Sequence, residues 1–381
     1  MHFPTDTLVY LAAITGLLVV PRALQRFRIP AQLTCFVFGV LVAIFARHLI
    51  DSNVARVVAT FGIASLFLVA GLEVDVAEIR GRLPRLSGYL VIRALFLALI
   101  TWCAFRFLDL KWQPGLLLAL GLLTPSTGFI LDTLPLSGLE EGEQNEVAID
   151  AITGEIAALL VLFIVSQGST LSLAMSGLVL LLLIVLTPFF FLFLGKHVVP
   201  YAPGSEFSLL VMVGVVCAVI TQHIGVHYLI GAFVADLVAG LLRNRMTTLA
   251  SPENLHAVRL FASFFIPFYF FHEGLEVPTG ALVMKSLLYG AALSVVMIPI
   301  RIGKIWLQSR FLSHRSAQGG FRVAIALIPT LIFTLVIAGI MRESFHISDE
   351  LYGGLLVYAA ITTMLPSYVL PRLRIVAPVE A

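Results

Sequence analysis

Apolar residues run through this chain in long stretches, separated by short clusters of charged residues, Pro and Gly. That is the pattern of successive membrane-crossing helices rather than of alternating strands. The stretches fall near residues 7–21, 31–50, 56–74, 86–107, 114–135 and 147–167, then 171–195, then 207–223, 226–242, 257–277, 281–309, 321–341 and 350–371. A hydrocarbon core about 30 Å thick takes roughly 20 helical residues to cross, so the pattern predicts an all-α polytopic membrane protein of about thirteen spans.

The two halves of the chain echo each other. Gly71-Leu72-Glu73-Val74 at the end of the third stretch recurs as Gly274-Leu275-Glu276-Val277 at the end of the tenth, 203 positions later. Arg106-Phe107-Leu108 recurs as Arg310-Phe311-Leu312, and Pro125 as Pro329, both 204 positions later. Repeats joined by a single linker helix enter the membrane upside down relative to each other. The expected organisation is therefore one transmembrane domain over residues 1–381, built from an inverted repeat over 7–167, a linker helix over 171–195 and a second repeat over 207–371.

Composition narrows the function classes. With 59% hydrophobic and 12% charged residues and a mean hydropathy of +1.01, the chain cannot dress several soluble cores of this size in water-facing side chains. A net charge of +2 gives no footprint for nucleic acid, and membrane lipid is the expected surrounding. The three thiols, Cys35, Cys103 and Cys217, lie in apolar stretches without metal-ligand or redox spacing. No phosphate-binding glycine loop, nucleophile elbow or His/Cys cluster is present, so no cofactor is expected and an ATP-driven pump is disfavoured. The start of the chain lacks the basic segment and cleavage site of a signal peptide, so its first apolar run is read as a helix. Most Arg and Lys fall on one side of the scheme, among them Arg22, Arg26, Arg28, Arg80, Arg82, Arg85, Arg243, Arg245, Arg315, Arg372 and Arg374. By the positive-inside rule the C-terminus is cytoplasmic and the N-terminus outside. The acidic stretch 139–146 is read as a loop on the cytoplasmic side.

Candidate chemistry lies where polar groups interrupt apolar spans. Thr124, Pro125, Ser126, Thr127 and Gly128 break the fifth stretch; proline removes a donor, and the hydroxyls and freed carbonyls are suitable ligands for a dehydrated alkali cation. A kinked helix whose hydroxyls bond their own backbone fits the same residues. The matching Leu327, Ile328, Pro329 and Thr330 favour a pair of broken, crossing helices. In the sixth stretch Glu155 lies about two turns inside the span, where a carboxylate costs several kcal/mol unless protonated, paired or bound to a cation. Such a group can exchange a proton for a cation. Asp150, nearer the cytoplasmic end, is read as a cavity-mouth charge. Arg301, within the longest span, is read as a counter-charge for a carboxylate or for the carbonyl end of a broken helix, and Lys304 as snorkelling to the surface. Asp236, Thr330 and Glu73 are possible accessory residues. Asp132, Arg93, His272, Glu273 and Glu276 are put down mainly to span ends, and His223 and His227 to the interface.

On Phe67–Val74 (FLVAGLEV), Leu123–Leu134 (LTPSTGFILDTL), Gly231–Gly240 (GAFVADLVAG), Pro267–Val277 (PFYFFHEGLEV) and Arg301 with Gly303 and Arg310, the chain resembles the monovalent cation:proton antiporters. The branch is that of the Kef-type potassium efflux systems and Nap-type sodium/proton antiporters, over nearly the whole length. The resemblance implies a thirteen-helix homodimer of a bacterial inner membrane, with a dimerisation domain and a core domain. It further implies crossed discontinuous helices beside the ion site, and exchange of Na⁺ or K⁺ for H⁺ by elevator-like alternating access. The ion-binding Asp of the family is replaced here by Glu155, preceded by Gly154 where many members carry Asp, Asn or Gln; Arg301 stands where many have Lys. Without an acidic residue at 154, the resemblance implies an electroneutral one-for-one cycle. The acidic residue often found in the second broken helix has no counterpart around Pro329–Thr334, and no cytosolic nucleotide-binding domain is expected. A sodium-coupled organic-anion symporter, and a non-transporting sensor or channel-like module of the same fold, are the alternatives.

Overall fold

The structure, a computed structural model, describes residues 5–46, 52–72, 83–167, 170–202, 206–224, 226, 228–242, 252–312 and 316–370. Among these residues every regular element is a helix. The helices are α1 (Thr5–Leu24), α2 (Ala31–Phe45), α3 (Ser52–Leu72), α4 (Leu83–Phe107), α5 (Trp112–Leu123), α6 (Thr127–Thr133), α7 (Glu141–Ser166) and α8 (Thr170–His197). They continue as α9 (Glu206–His223), α10 (Tyr228–Leu242), α11 (Pro252–Leu275), α12 (Met284–Leu312), α13 (Ala317–Ala326), α14 (Leu331–Phe345) and α15 (Asp349–Val369). Each stretch read from the sequence holds one helix, except that the fifth and twelfth hold two: α5 with α6, and α13 with α14.

By length and apolarity alone, five helical segments among the described residues suffice to cross a bilayer: Ser87–Phe107, Trp112–Thr133, Glu141–Ser166, Leu171–Tyr201 and Met284–Phe311. The pair Gln318–Ala326 and Leu331–Phe345, bent by 46°, makes a sixth. Shorter apolar helices include Ala31–Phe45 and Ser208–His223. Leu95, Leu99, Trp102 and Phe105 on α4 and Leu181, Val185, Leu186 and Phe189 on α8 are exposed. Apolar faces of that extent belong against lipid rather than water.

Glu73 and Val74, with Arg80, Arg82, His227, Arg243, Arg245, Arg315, Arg372 and Arg374, lie outside the described residues. One expectation is corrected at α7. The acidic stretch after Leu139 is not a loop: Glu141 and Glu143 form the first turn of the helix. Carboxylates there interact favourably with the unpaired amides of the helix start, and Glu143 accepts the Glu140 N–H at 3.0 Å.

The chain divides into two compact units, each drawing on both halves of the sequence. One comprises Met1–Ala23, Thr34–Arg82 and Leu159–Val277. Within it α3 packs on α10 and α11, and α9 on α10, around buried Phe191, Leu210, Cys217 and Val238. Glycine makes the helix crossings close: a Cβ on Gly39 would overlap the Phe271 carbonyl, and one on Gly274 the Phe36 carbonyl. Such small-residue contacts replace the hydrophobic drive that helices lack in lipid.

The other unit comprises Leu24–Leu33, Leu83–Ala158 and Pro278–Ala381. Here α4 packs on α5, α12 on α13 and α15, and α14 on α5 and α15. Arg106-Phe107 closes α4 and Arg310-Phe311-Leu312 closes α12, so the recurring tripeptide falls at the end of a helix both times.

Candidate functional site

The second unit is organised by the two helix breaks. Pro125 cannot donate, and the helix stops at Leu123; Pro329 has the same effect after Ala326. Each stop leaves carbonyls and amides that lipid cannot satisfy, and these must find partners inside the protein. They find them in each other. The Ser126 N–H donates to the Pro329 carbonyl at 2.8 Å. The Ser126 hydroxyl accepts the Ile332 N–H at 2.9 Å, and Ser126 O accepts the Ile130 N–H at 3.0 Å. At the end of α5, Gly121 O accepts the Thr334 hydroxyl at 2.8 Å and Leu122 O accepts the Tyr358 hydroxyl at 2.8 Å. The bland alternative, one kinked helix bonding only to itself, is excluded by these bonds between the breaks.

Arg301 serves the second break. It is 1% exposed, and it donates through Nη1 to Ile328 O at 2.7 Å and through Nη2 to Leu327 O at 2.9 Å. Nη1 also reaches the Tyr358 hydroxyl at 3.2 Å. Of the two roles open from sequence, the guanidinium takes the carbonyl end of the broken helix. Through Tyr358 it also reaches the end of α5.

Glu155, midway along α7, is 2% exposed, and its Oε2 has no hydrogen-bond partner. The Thr127 hydroxyl and the Arg93 guanidinium are the polar groups acting on this buried carboxylate. Thr127 Oγ1 is itself buried without a partner at hydrogen-bonding geometry. The other two hydroxyls of the first break are engaged: Ser126 as above, and Thr124 Oγ1 as acceptor of Arg93 Nη2 at 2.9 Å. Thr330 shares a 3.0 Å bond with Thr362 at the second break. Asp236 lies on α10, in the other unit, with its side chain outside the description.

A cavity of about 50 Å³ adjoins this ground, lined among others by Arg93, Pro125, Asp150, Thr153, Arg301 and Lys304. That is room for a few waters or a small ion, far below the ~300–1,000 Å³ of pockets that hold organic ligands. Asp150 is on the cavity wall. Two readings are corrected. Lys304 does not snorkel away: it lines the cavity, its Nζ 5.9 Å from the centre of the Phe96 ring. Arg93 is not a span-end residue: it sits within α4, buried, against Thr124. Its signal was a lone cation near the middle of an apolar stretch. Tyr358 carried no signal of its own, because a tyrosine in an apolar helix is ordinary. Among the described residues no group of three or more His, Cys, Asp or Glu is arranged to hold a metal ion.

The chain as a whole has counterparts among known proteins. The family model for the transmembrane sodium/hydrogen exchanger matches residues 10–374. The chain belongs to the sodium/hydrogen exchanger family. Among its relatives is the "Probable Na(+)/H(+) antiporter 3" of Methanocaldococcus jannaschii, 23% identical over 384 residues and covering 96% of each chain. The fold matches that of the sodium proton antiporter MjNhaP1 of Methanocaldococcus jannaschii at pH 8, with a TM-score of 0.68, 12% identity and 96% of each chain covered. A second structure of MjNhaP1, from electron microscopy, matches with a TM-score of 0.59 and 13% identity, over 96% of this chain and 95% of that one. In this exchanger-family chain, an integral membrane protein, the residues at the crossing are thus placed in a fold shared nearly end to end.

Proposed function

We propose that this chain is a secondary transporter exchanging Na⁺, or K⁺, for H⁺, with Glu155 as the group for which cation and proton compete. One observation carries the reading: Glu155 Oε2 and Thr127 Oγ1 are buried together at the crossing of two broken helices, and among the described residues neither atom has a partner at hydrogen-bonding geometry. Buried polar oxygens are costly to leave unmet, and a dehydrated cation or a proton meets the need. One excludes the other, which couples their movements. The names of the relatives support exchange of sodium for protons, and the small cavity favours a bare ion over an organic anion as substrate.

Thr127 supplies a hydroxyl oxygen to the cation, with Thr124 and Ser126 as walls of its pocket. Asp150 attracts the ion to the mouth, and Arg301 balances the carbonyl ends. Alternating access is an elevator-type movement of the unit that holds Glu155 and both breaks. The support is that these residues all fall within one of two separately compact units. The halves 7–167 and 207–371 are inverted repeats around the α8 linker, and the protein works as a homodimer in the inner membrane, N-terminus outside and C-terminus cytoplasmic. With glycine at 154 a single carboxylate carries the charge, so exchange is one-for-one and electroneutral.

The test is proton flux in proteoliposomes of the purified protein, challenged with Na⁺, K⁺ and Li⁺. The reading expects a lumenal pH change driven by an inward or outward gradient of at least one of these cations, unaffected by a valinomycin-clamped potential in Na⁺ medium. Flat traces with every cation contradict exchange; a potential-dependent rate contradicts electroneutrality alone.

A further inference from the structure

The cavity beside the crossing carries more positive charge than negative. Arg93, Arg301 and Lys304 line it, and Asp150 is the carboxylate on its wall. Arg301 is engaged by the Leu327 and Ile328 carbonyls. The other two cations are held less fully. Arg93 donates to Thr124 Oγ1 at 2.9 Å, and its Nε is buried without a partner. Lys304 Nζ lies 5.9 Å from the centre of the Phe96 ring. Among the described residues neither side chain forms an ion pair. A Cβ on Gly154 would overlap Arg93 Nη1, so it is the glycine that leaves the guanidinium room on this wall.

The three cations act on one another, and Asp150 acts on both Arg93 and Lys304. One carboxylate cannot neutralise all three. Glu155 adds a second negative charge only while it is empty, because a bound proton or a bound monovalent cation cancels it. The loaded carrier therefore sets three cations against one carboxylate, and with Lys304 neutral two guanidinium groups would still face it. Water can satisfy a buried N–H, but a buried charge needs a counter-charge. The cavity, of about 50 Å³, has room for a monatomic anion little larger than water and is too small for an organic one.

We infer that this cavity is a binding site for a small inorganic anion of halide size, held by Arg93 and Lys304 and bound most tightly when Glu155 is loaded. The guanidinium and the ammonium supply both the charge and the N–H donors, and Gln308 on the same wall adds an amide. The anion's part in transport rests on the exchange reading above. By neutralising the cavity it lowers the electrostatic cost of bringing a cation to Glu155, so exchange runs at lower sodium when the anion is present.

The probe is chloride. Purified protein in detergent is melted across a series in which chloride replaces gluconate at constant sodium and ionic strength. The melting temperature is expected to climb with chloride and level off, as mass action at one site requires. In Arg93→Gln and in Lys304→Gln the saturating rise is lost or moves to at least about tenfold higher chloride, equivalent to ~1.4 kcal/mol of anion binding. Glu155→Gln, uncharged like the loaded carrier, levels off at lower chloride than wild type. No saturating rise in wild type overturns the inference, as does an equal rise in wild type and Arg93→Gln; if Arg93→Gln does not fold, Lys304→Gln decides. A weaker chloride response in Glu155→Gln than in wild type overturns the link to loading. Proton flux separates the two readings: proteoliposomes inert to every cation remove exchange while the chloride response stands, whereas exchange without a chloride response removes only the anion site.

Discussion

Ser126 gives its backbone N–H to the Pro329 carbonyl and its hydroxyl oxygen to the Ile332 N–H, so one residue of the first helix break satisfies two backbone groups of the second. The crossing is a structural brace before it is an ion site. Ser126→Ala keeps the Pro329 bond and strips the Ile332 amide of its acceptor. A buried amide left unmet costs about 1–3 kcal/mol. The expected result is a lowered melting temperature in detergent, partly restored by Ser126→Thr; an unchanged melting curve would mean the hydroxyl does not brace the breaks.

Thr127 is the contrasting case, because its Oγ1 braces no other helix and acts only on the Glu155 carboxylate. Thr127→Val keeps the shape and removes the oxygen. The melting temperature should stay near wild type, while the sodium concentration for half-maximal exchange rises about tenfold, a loss of ~1.4 kcal/mol of cation binding. Unchanged sodium dependence would take Thr127 out of the cation's ligand set.

Arg301 ties both broken helices to one guanidinium, directly at Leu327 and Ile328 and through Tyr358 at Leu122. Hydrogen bonds from a charged donor contribute about 1.5–3 kcal/mol each, so Arg301→Gln should destabilise by about 3 kcal/mol or more. Arg301→Lys recovers only part, because an ammonium does not span two carbonyls with a planar fork. Tyr358→Phe should cost about 1–3 kcal/mol through the uncovered Leu122 carbonyl. Thermal unfolding of the three variants in one detergent checks the order; equal stability of Arg301→Lys and wild type would contradict it.

How far these features were legible in the sequence differs from residue to residue. The breaks could be read because proline among hydroxyls inside an apolar run has few other uses, and because Pro125 and Pro329 keep the register of the repeated tripeptides. Glu155 could be read because a carboxylate in hydrocarbon needs a reason to be there. The choice Arg301 makes, carbonyls over a carboxylate, depends on where α13 stops relative to α12, which no periodicity encodes. Arg93 was passed over for the same kind of reason: its meaning lies in its fit to Gly154, 61 positions away in sequence. A missing side chain leaves no mark on a hydropathy pattern. The two compact units were also hidden, since each gathers stretches that lie far apart along the chain.

Competition at one carboxylate fixes a pH dependence. A bound proton excludes the cation, so the sodium concentration for half-maximal exchange should climb as pH falls, approaching about tenfold per pH unit once the carboxylate is mostly protonated, and level off in alkali. Initial rates over a sodium series at several pH values test this. A half-maximal concentration that does not move with pH would mean that proton and cation use separate sites.

The most direct measurement is sodium-driven proton flux through Glu155→Gln, reconstituted beside wild type after its melting curve has been matched. Glutamine keeps the size and hydrogen-bonding capacity of the side chain but can neither take up a proton nor carry the charge. The account predicts a folded protein with no cation-dependent flux above empty liposomes. Exchange at the wild-type rate in that variant would contradict it.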